Sequence, residues 1–477
     1  MTEPSVDVGE TAAEAVTDFG GFLRSAGKLA LARQFSALCL IGVVFVLPAL
    51  TTKSVATDFV WSYFAMLTLT SLLGLGLERL AATVAGARGD RSLASAVAPV
   101  LVVRISTVPL AAVGLWAVLA FVGVQLSSAA WWATMLWITA GLMGPVLFGG
   151  LRAAGNSNVE PAVMLAVRAT QALALAALAV AGAATAILVT TVALLECAGI
   201  AVASSHLGRL REFLTGAHKW RDLPLRRAFA LAGIDVVGLL NLRADLLLVG
   251  HILGSVTGAT YGLLYRAVDG FNGVVGSAGL WLYAESSNDR DGGADPSGLR
   301  ARSLAVLPRF GVALAVFVVL AAGAAGEVVP RLAAETDTLR ILAAAFPLLT
   351  VNAVELHVRS GRGRNREVLT VNVITLLVNV PLSILLIDNF GLPGAAAALA
   401  FSELLQASLL WCSASRDERT LVGRALATAV LGAVLLLLTA ASLSGGHLAL
   451  AIVAVLAVIA LVVGRRPWPR RHALVVS

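Results

Sequence analysis

The chain has 477 residues, 58% of them hydrophobic and 13% charged, with a formal net charge of +7 and a mean hydropathy of +0.88. That composition lies far from soluble-domain usage and places the chain in a bilayer. The positive balance therefore reads as the topological bias of inner loops, not as a nucleic-acid footprint. Cys39, Cys197 and Cys412 each sit in an apolar segment without CxxC or Cys/His spacing, so they read as buried free thiols and no metal site or cofactor is expected.

The first residues, "MTEPSVDVGETAAEAVTDFGG", carry Glu3, Asp7, Glu10, Glu14 and Asp18 and no basic residue. This is the opposite of a signal-peptide start, and residues 1–28 are expected to be a disordered acidic cytoplasmic tail. A spanning helix needs about 20 mostly apolar residues. The chain divides at its Gly, Pro and charged interruptions into about fourteen such stretches, with cores near 32–50, 59–85, 96–124, 128–149, 160–182, 184–205, 228–250, 257–284, 304–326, 338–357, 368–387, 393–412, 423–443 and 447–464. The critical division is at Gly182, in "AVAGAATAILV", where one long apolar run is split into two helices.

Charge provides an independent check on this threading. With the N-terminus inside, only Lys53, Arg331 and Arg340 fall on outer loops, and Arg79, Arg104, Arg168, Arg243 and Arg266 fall within helices. Every other basic residue lands on an inner segment, as the positive-inside rule requires. The expected protein is an all-α polytopic membrane protein with both termini cytoplasmic.

Two segments that lead from the inner side into the membrane, "LRAAGNSNVEP" and "VRSGRGRNREV", match at a constant offset: Arg152, Asn158 and Glu160 against Arg359, Asn365 and Glu367. A repeat of six helices starts both copies on the inner side and gives parallel repeats. The expected organisation is a six-helix lobe over 29–207, a basic cytoplasmic linker over 208–227, a second six-helix lobe over 228–413, helices 13 and 14 within 414–464, and a basic cytoplasmic tail over 465–477.

A charge at bilayer depth costs about 2.5–3.5 kcal/mol on insertion scales, so the five arginines within helices must be paired or face a wet cavity. Guanidinium groups stay charged and grip phosphate oxygens through paired hydrogen bonds. Arg243 and Arg266, with Arg79, Arg104 and Arg168, are accordingly candidates for an anionic cargo. The alternatives are that Arg79 and Arg104 snorkel to the inner interface and that Arg266 pairs with Asp269 three residues along its helix. Asp235, Asn241 and Asp245 share a face of the seventh helix, with Arg243 turned away, and Tyr261, Tyr265, Asp269 and Asn272 cluster on the eighth. Intramembrane carboxylates such as Asp235, Asp245, Asp269 and Glu403 either couple H⁺ or Na⁺ to transport or partner an arginine. Glu355 and Arg359, four apart, suggest a cytoplasmic gate pair. Asn372, Thr375, Asn379 and Ser383 form a polar stripe on the eleventh helix, suited to interhelical glue or to cargo contact.

Arg243-x-Asp245 followed by Gly250, Gly254, Gly258, Tyr261 and Ala267, and "NVPLSILLIDNFGLPGAAAALAFSELL" with Asn379, Phe390, Gly391, Gly394, Ala395 and Glu403, resemble the bacterial polysaccharide and lipid-linked oligosaccharide flippases of the multidrug/oligosaccharidyl-lipid/polysaccharide (MOP) exporter superfamily. The resemblance covers the twelve-helix core. It implies a V-shaped two-lobed carrier in the bacterial cytoplasmic membrane that moves undecaprenyl-diphosphate-linked glycans outward by alternating access, with polysaccharide-assembly proteins as possible partners. A membrane glycan polymerase or ligase is disfavoured, because the longest outer connection is the short "EVVPRLAAETD" and no catalytic constellation or P-loop can be assembled. A multidrug exporter of the same superfamily would favour an acidic, aromatic cavity, against which the arginines argue.

Overall fold

The computed structural model describes residues 51–444 apart from 75, 87–91, 154, 155, 157, 209–211, 213–215, 224, 289–296 and 329–334, together with positions 32, 35, 39, 47 and 50. The acidic tail, most of the first expected span, the fourteenth span and the basic tail thus lie outside the described residues. Among those described there is no strand. The helices are α1 Lys53–Leu72, α2 Leu77–Gly86, α3 Leu93–Ile105, α4 Val108–Phe121, α5 Ser128–Ala153, α6 Val159–Val180, α7 Thr185–Ser205, α8 Leu225–Ile252, α9 Ser255–Asn288, α10 Ser297–Val328, α11 Thr336–Ala344, α12 Phe346–Gly361, α13 Asn365–Ser413 and α14 Arg416–Ser444. A short 3-10 turn, His218–Asp222, precedes α8.

Among the described residues, eight helical stretches are long and apolar enough to cross a membrane. The protein is a multi-pass, all-helical membrane protein, and each expected span from the second to the thirteenth has a helical counterpart. The division at Gly182 is real. α6 ends at Val180 and α7 begins at Thr185, and Gly182 between them adopts a φ of +74°, a backbone state open to glycine at no steric cost. The amide of Ala183 closes the turn by donating to Leu178 O at 2.9 Å.

Several expected spans are internally interrupted. The second is broken into α1 and α2 at Leu73–Gly76. The third bends at Ser106 and Thr107, whose hydroxyls donate to the carbonyls of Val103 and Arg104, each at 2.7 Å. The tenth is α11 and α12, joined at Ala345 ahead of Pro347. The 49-residue α13 contains the eleventh and twelfth spans. Gly391, at φ +64° and ψ −136°, folds the chain back between arms 365–390 and 392–413. Gln406 Nε2 donates to Asn372 Oδ1 at 2.8 Å, whereas in one straight helix 34 residues at a rise of about 1.5 Å would hold them roughly 50 Å apart.

The chain forms two compact units, Met1–Leu115 with Leu126–Phe229, and Trp116–Gln125 with Ala230–Ser477. In the first, α5 is the central helix, packed against α1, α2, α3 and α7. Small residues allow the close approach: a Cβ on Gly149 would come within 2.9 Å of Glu78 O. In the second unit, α12 holds the corresponding position, packed against α9, α10, α13 and α14.

Both units tie the turn after their central helix in the same way. Arg152, at the end of α5, bridges Glu160 in the first turn of α6 and Glu78 of α2. Arg359, at the end of α12, pairs with Glu367 in the first turn of α13 and with Glu355, the latter at 3.1 Å. These are the residues matched by the repeat offset. The second copy is the denser cluster: Arg300 pairs with Glu355 at 2.7 Å and with Glu418, which fixes α14 to α10 and α12.

Candidate functional site

α8 and α9 carry the highest density of buried charge among the expected site residues. They are antiparallel neighbours joined by the Leu253–Gly254 turn, so side chains from α8 positions near 243 meet α9 positions near 265. Arg243 spans this contact. Its two terminal nitrogens donate to the two carboxylate oxygens of Asp269, at 2.7 and 3.2 Å, and its guanidinium carbon lies 5.3 Å from the Tyr265 ring centroid. Arg266, 1% exposed, reaches the same carboxylate at 2.8 Å. One acid thus serves two guanidiniums and remains about one-fifth exposed at its side chain. The expected i,i+3 pair between Arg266 and Asp269 is present, and Arg243 joins it instead of turning away. Such charge-assisted, two-pronged contacts are strong and geometrically exacting.

Asp245, two residues along α8 from Arg243, is 1% exposed. It accepts a hydrogen bond from the Tyr261 hydroxyl at 2.6 Å and one from the amide of Leu246 at 2.8 Å. Tyr265 donates to the carbonyl of Leu242, and the two tyrosine rings sit 5.9 Å apart. Glu403, on the second arm of α13, is 2% exposed and accepts from Asn352 Nδ2 of α12 at 2.6 Å. Neither Asp245 nor Glu403 belongs to an ion pair among the described residues; hydroxyl, amide and backbone donors hold them instead.

The polar stripe of the eleventh span is buried along its whole length. Asn379 Nδ2 donates to Asn241 O at 3.0 Å and to Asn241 Oδ1 at 3.2 Å, and Ser383 donates to Asn379 Oδ1 at 3.2 Å. Asn241 and Asn379 therefore fasten α8 to α13. Asn272 is half-buried on α9 three residues beyond Asp269, and Asp235 is half-buried on α8.

Within the first unit, the described arginines Arg104 and Arg168 have partners of their own. Arg104, 2% exposed, donates to Leu142 O and Thr70 O, both at 2.9 Å, and to Leu73 O. Two of these carbonyls belong to the end of α1, where the break before α2 leaves main-chain acceptors without helical donors. Arg168 pairs with Glu196 of α7 at 2.8 Å and donates to Gln171 at 2.6 Å. Arg79 lies on α2, and its side chain is outside the described residues.

Four partner residues are not marked by the sequence pattern. Asn352 holds Glu403, Gln406 holds Asn372, and Arg300 with Glu418 extends the Glu355–Arg359 pair. None carried a sequence signal: the repeat offset marks Arg359 and Glu367, but not the residues that join them from other helices.

No family model and no curated protein matches the chain in sequence. Solved structures match its fold. A mutant of the Vibrio cholerae MATE transporter VcmN is 14% identical, with 85% of this chain and 99% of that chain covered at a TM-score of 0.58. The eukaryotic MATE transporter AtDTX14 is 14% identical over 86% of this chain and 100% of its own, with a TM-score of 0.61. A MOP-superfamily transporter from Pyrococcus furiosus, described as having a binding pocket of reversed polarity that suggests a different function, is 13% identical over 83% and 96%, with a TM-score of 0.52. The chain shares the fold of these transporters.

Proposed function

We propose that the protein is an alternating-access exporter, not an enzyme, and that its cargo is an anionic, polyprenyl-diphosphate-linked oligosaccharide moved from the inner to the outer leaflet of the bacterial cytoplasmic membrane. One observation carries the choice of cargo: Arg243 and Arg266 converge on the single, partly exposed carboxylate of Asp269. A diphosphate offers more acceptor oxygens than that carboxylate and can take its place on both guanidiniums. Asp269 is then a resident counter-ion that keeps the pair charged and paired while the site is empty. The Pyrococcus furiosus neighbour, through the reversed pocket polarity stated for it, supports the view that transporters of this fold differ in the charge they accept. The sugar travels with the diphosphate while the prenyl tail stays in lipid, and an inside-negative potential assists export by about 2.3 kcal/mol per charge per 100 mV if the whole field is crossed.

Asp245 and Glu403 supply the proposed coupling. Both are buried carboxylates without an ion-pair partner among the described residues, a setting suited to taking up H⁺ or Na⁺ when the carrier resets. The same two acids favour a second reading, a multidrug exporter that carries organic cations. Proteoliposomes distinguish the two. With a labelled polyprenyl-diphosphate sugar, the Arg243→Gln/Arg266→Gln double variant should lose outward movement, while Asp245→Asn and Glu403→Gln should slow it and remove its dependence on an imposed ion gradient. Transport of a fluorescent organic cation that needs Asp245 and Glu403 but ignores the arginines would establish the drug-exporter reading instead.

A further inference from the structure

The segment between the two six-helix repeats, residues 208–227, holds six basic residues, Arg209, Arg211, Lys219, Arg221, Arg226 and Arg227, against Glu212 and Asp222. The positive-inside rule accounts for its charge but not for its tryptophan or its attachment. Within it, the 3-10 turn His218–Asp222 packs against the start of α3. The fit there is tight: a Cβ on Gly216 would lie 2.5 Å from Ser95 O. The amide of Ala94, in the first turn of α3, donates to Leu207 O just past the end of α7 at 3.1 Å. The beginning of one membrane helix and the end of another therefore lie at one level, and the turn is held at that level.

Trp220 is exposed there, with the Arg221 guanidinium carbon 5.4 Å over its ring. His218 and Arg221 are also exposed, and Lys219 is half-buried. An indole about two-fifths exposed at the level where membrane helices end is characteristic of the lipid headgroup zone. A cluster of four to eight basic residues next to a spanning helix attracts anionic lipid. An Arg stacked on an indole presents its remaining N–H donors sideways, where phosphate oxygens can accept them.

We infer that the turn of Trp220 and Arg221 is a docking surface for anionic phospholipid head groups, with Lys219 and Arg221 as the phosphate contacts and Trp220 as the interfacial anchor. The surface lies wholly within the first unit and is independent of the cargo. Because the same segment joins the two repeats in sequence, lipid held there fixes the repeat junction to the inner leaflet.

The test uses the full-length protein in nanodiscs of phosphatidylcholine, with and without phosphatidylglycerol. The tryptophan emission that disappears in Trp220→Phe is followed while either lipid is replaced by its brominated, quenching analogue. Brominated phosphatidylglycerol should quench this component more strongly than brominated phosphatidylcholine, and salt should weaken the preference. Lys219→Gln and Arg221→Gln should each lower the apparent affinity for the anionic lipid by about fivefold, with thermal unfolding unchanged as the control on folding. Equal quenching by both lipids, no quenching, or an anionic preference that survives the double charge variant would overturn the inference. So would protection of Trp220 by a soluble protein partner in place of lipid.

Discussion

At Arg104 three main-chain carbonyls meet one guanidinium, and two of the three belong to the broken end of α1. The sequence marks Arg104 as an intramembrane charge, but its acceptors are backbone atoms at positions 70, 73 and 142, which no side-chain pattern identifies. Arg104→Leu strands these buried acceptors at about 1–3 kcal/mol each. Thermal unfolding in detergent should fall clearly, while Arg104→Lys, which keeps the charge but loses the fork of donors, should be intermediate. A variant with unchanged unfolding would show that the break between α1 and α2 needs no cap. Arg243 gives the contrasting case. The pairing of Arg266 with an acid was legible because Asp269 stands three residues along α9. That Arg243 would join them was not, because it depends on how α8 and α9 face each other.

Among the helices, the spans were legible because the bilayer imposes length and hydropathy on each. Their interruptions were less so. Gly74 and Gly76 break the second span, yet the sequence there reads as a continuous apolar run. Gly391, at φ +64° and ψ −136°, occupies a region that side chains enter at a cost of about 1–3 kcal/mol. Gly391→Ala should therefore lower stability by that order, measured by thermal unfolding, although a Cβ there meets nothing within 4 Å. An unaltered melting temperature would mean that the two arms of α13 turn without need of glycine. The repeated ion pairs allow a graded comparison. Arg359 is 1% exposed and, besides pairing with Glu355 and Glu367, donates to the Ser413 hydroxyl and the Leu410 carbonyl, while Arg152 is about one-quarter exposed. Arg359→Gln should cost about 3–5 kcal/mol, as expected when a buried pair loses one member, and Arg152→Gln distinctly less. Equal losses in unfolding measurements would contradict the burial argument. The repeat offset disclosed these residues as counterparts, but only the structure shows that both copies make the same bond.

For the whole molecule, hydropathy and charge asymmetry were enough to infer a polytopic helical protein, and the structure shows the fold of MOP-superfamily transporters. The cargo is less legible, because a guanidinium in a membrane helix serves equally as a structural cap, as at Arg104, as half of an ion pair, as at Arg168, or as a ligand site. The account of function depends on Arg243 and Arg266 acting as an anion site whose counter-ion is Asp269. The most direct test is the equilibrium affinity of the purified protein for a polyprenyl-diphosphate sugar, measured in wild type, Asp269→Asn and Arg243→Gln/Arg266→Gln. Asp269→Asn should bind more tightly, since it removes the competing carboxylate. The double arginine variant should bind at least tenfold more weakly, because each charge-assisted hydrogen bond is worth about 1.5–3 kcal/mol. Equal affinity in all three proteins, or weaker binding in Asp269→Asn with no change in the arginine variant, would contradict the account.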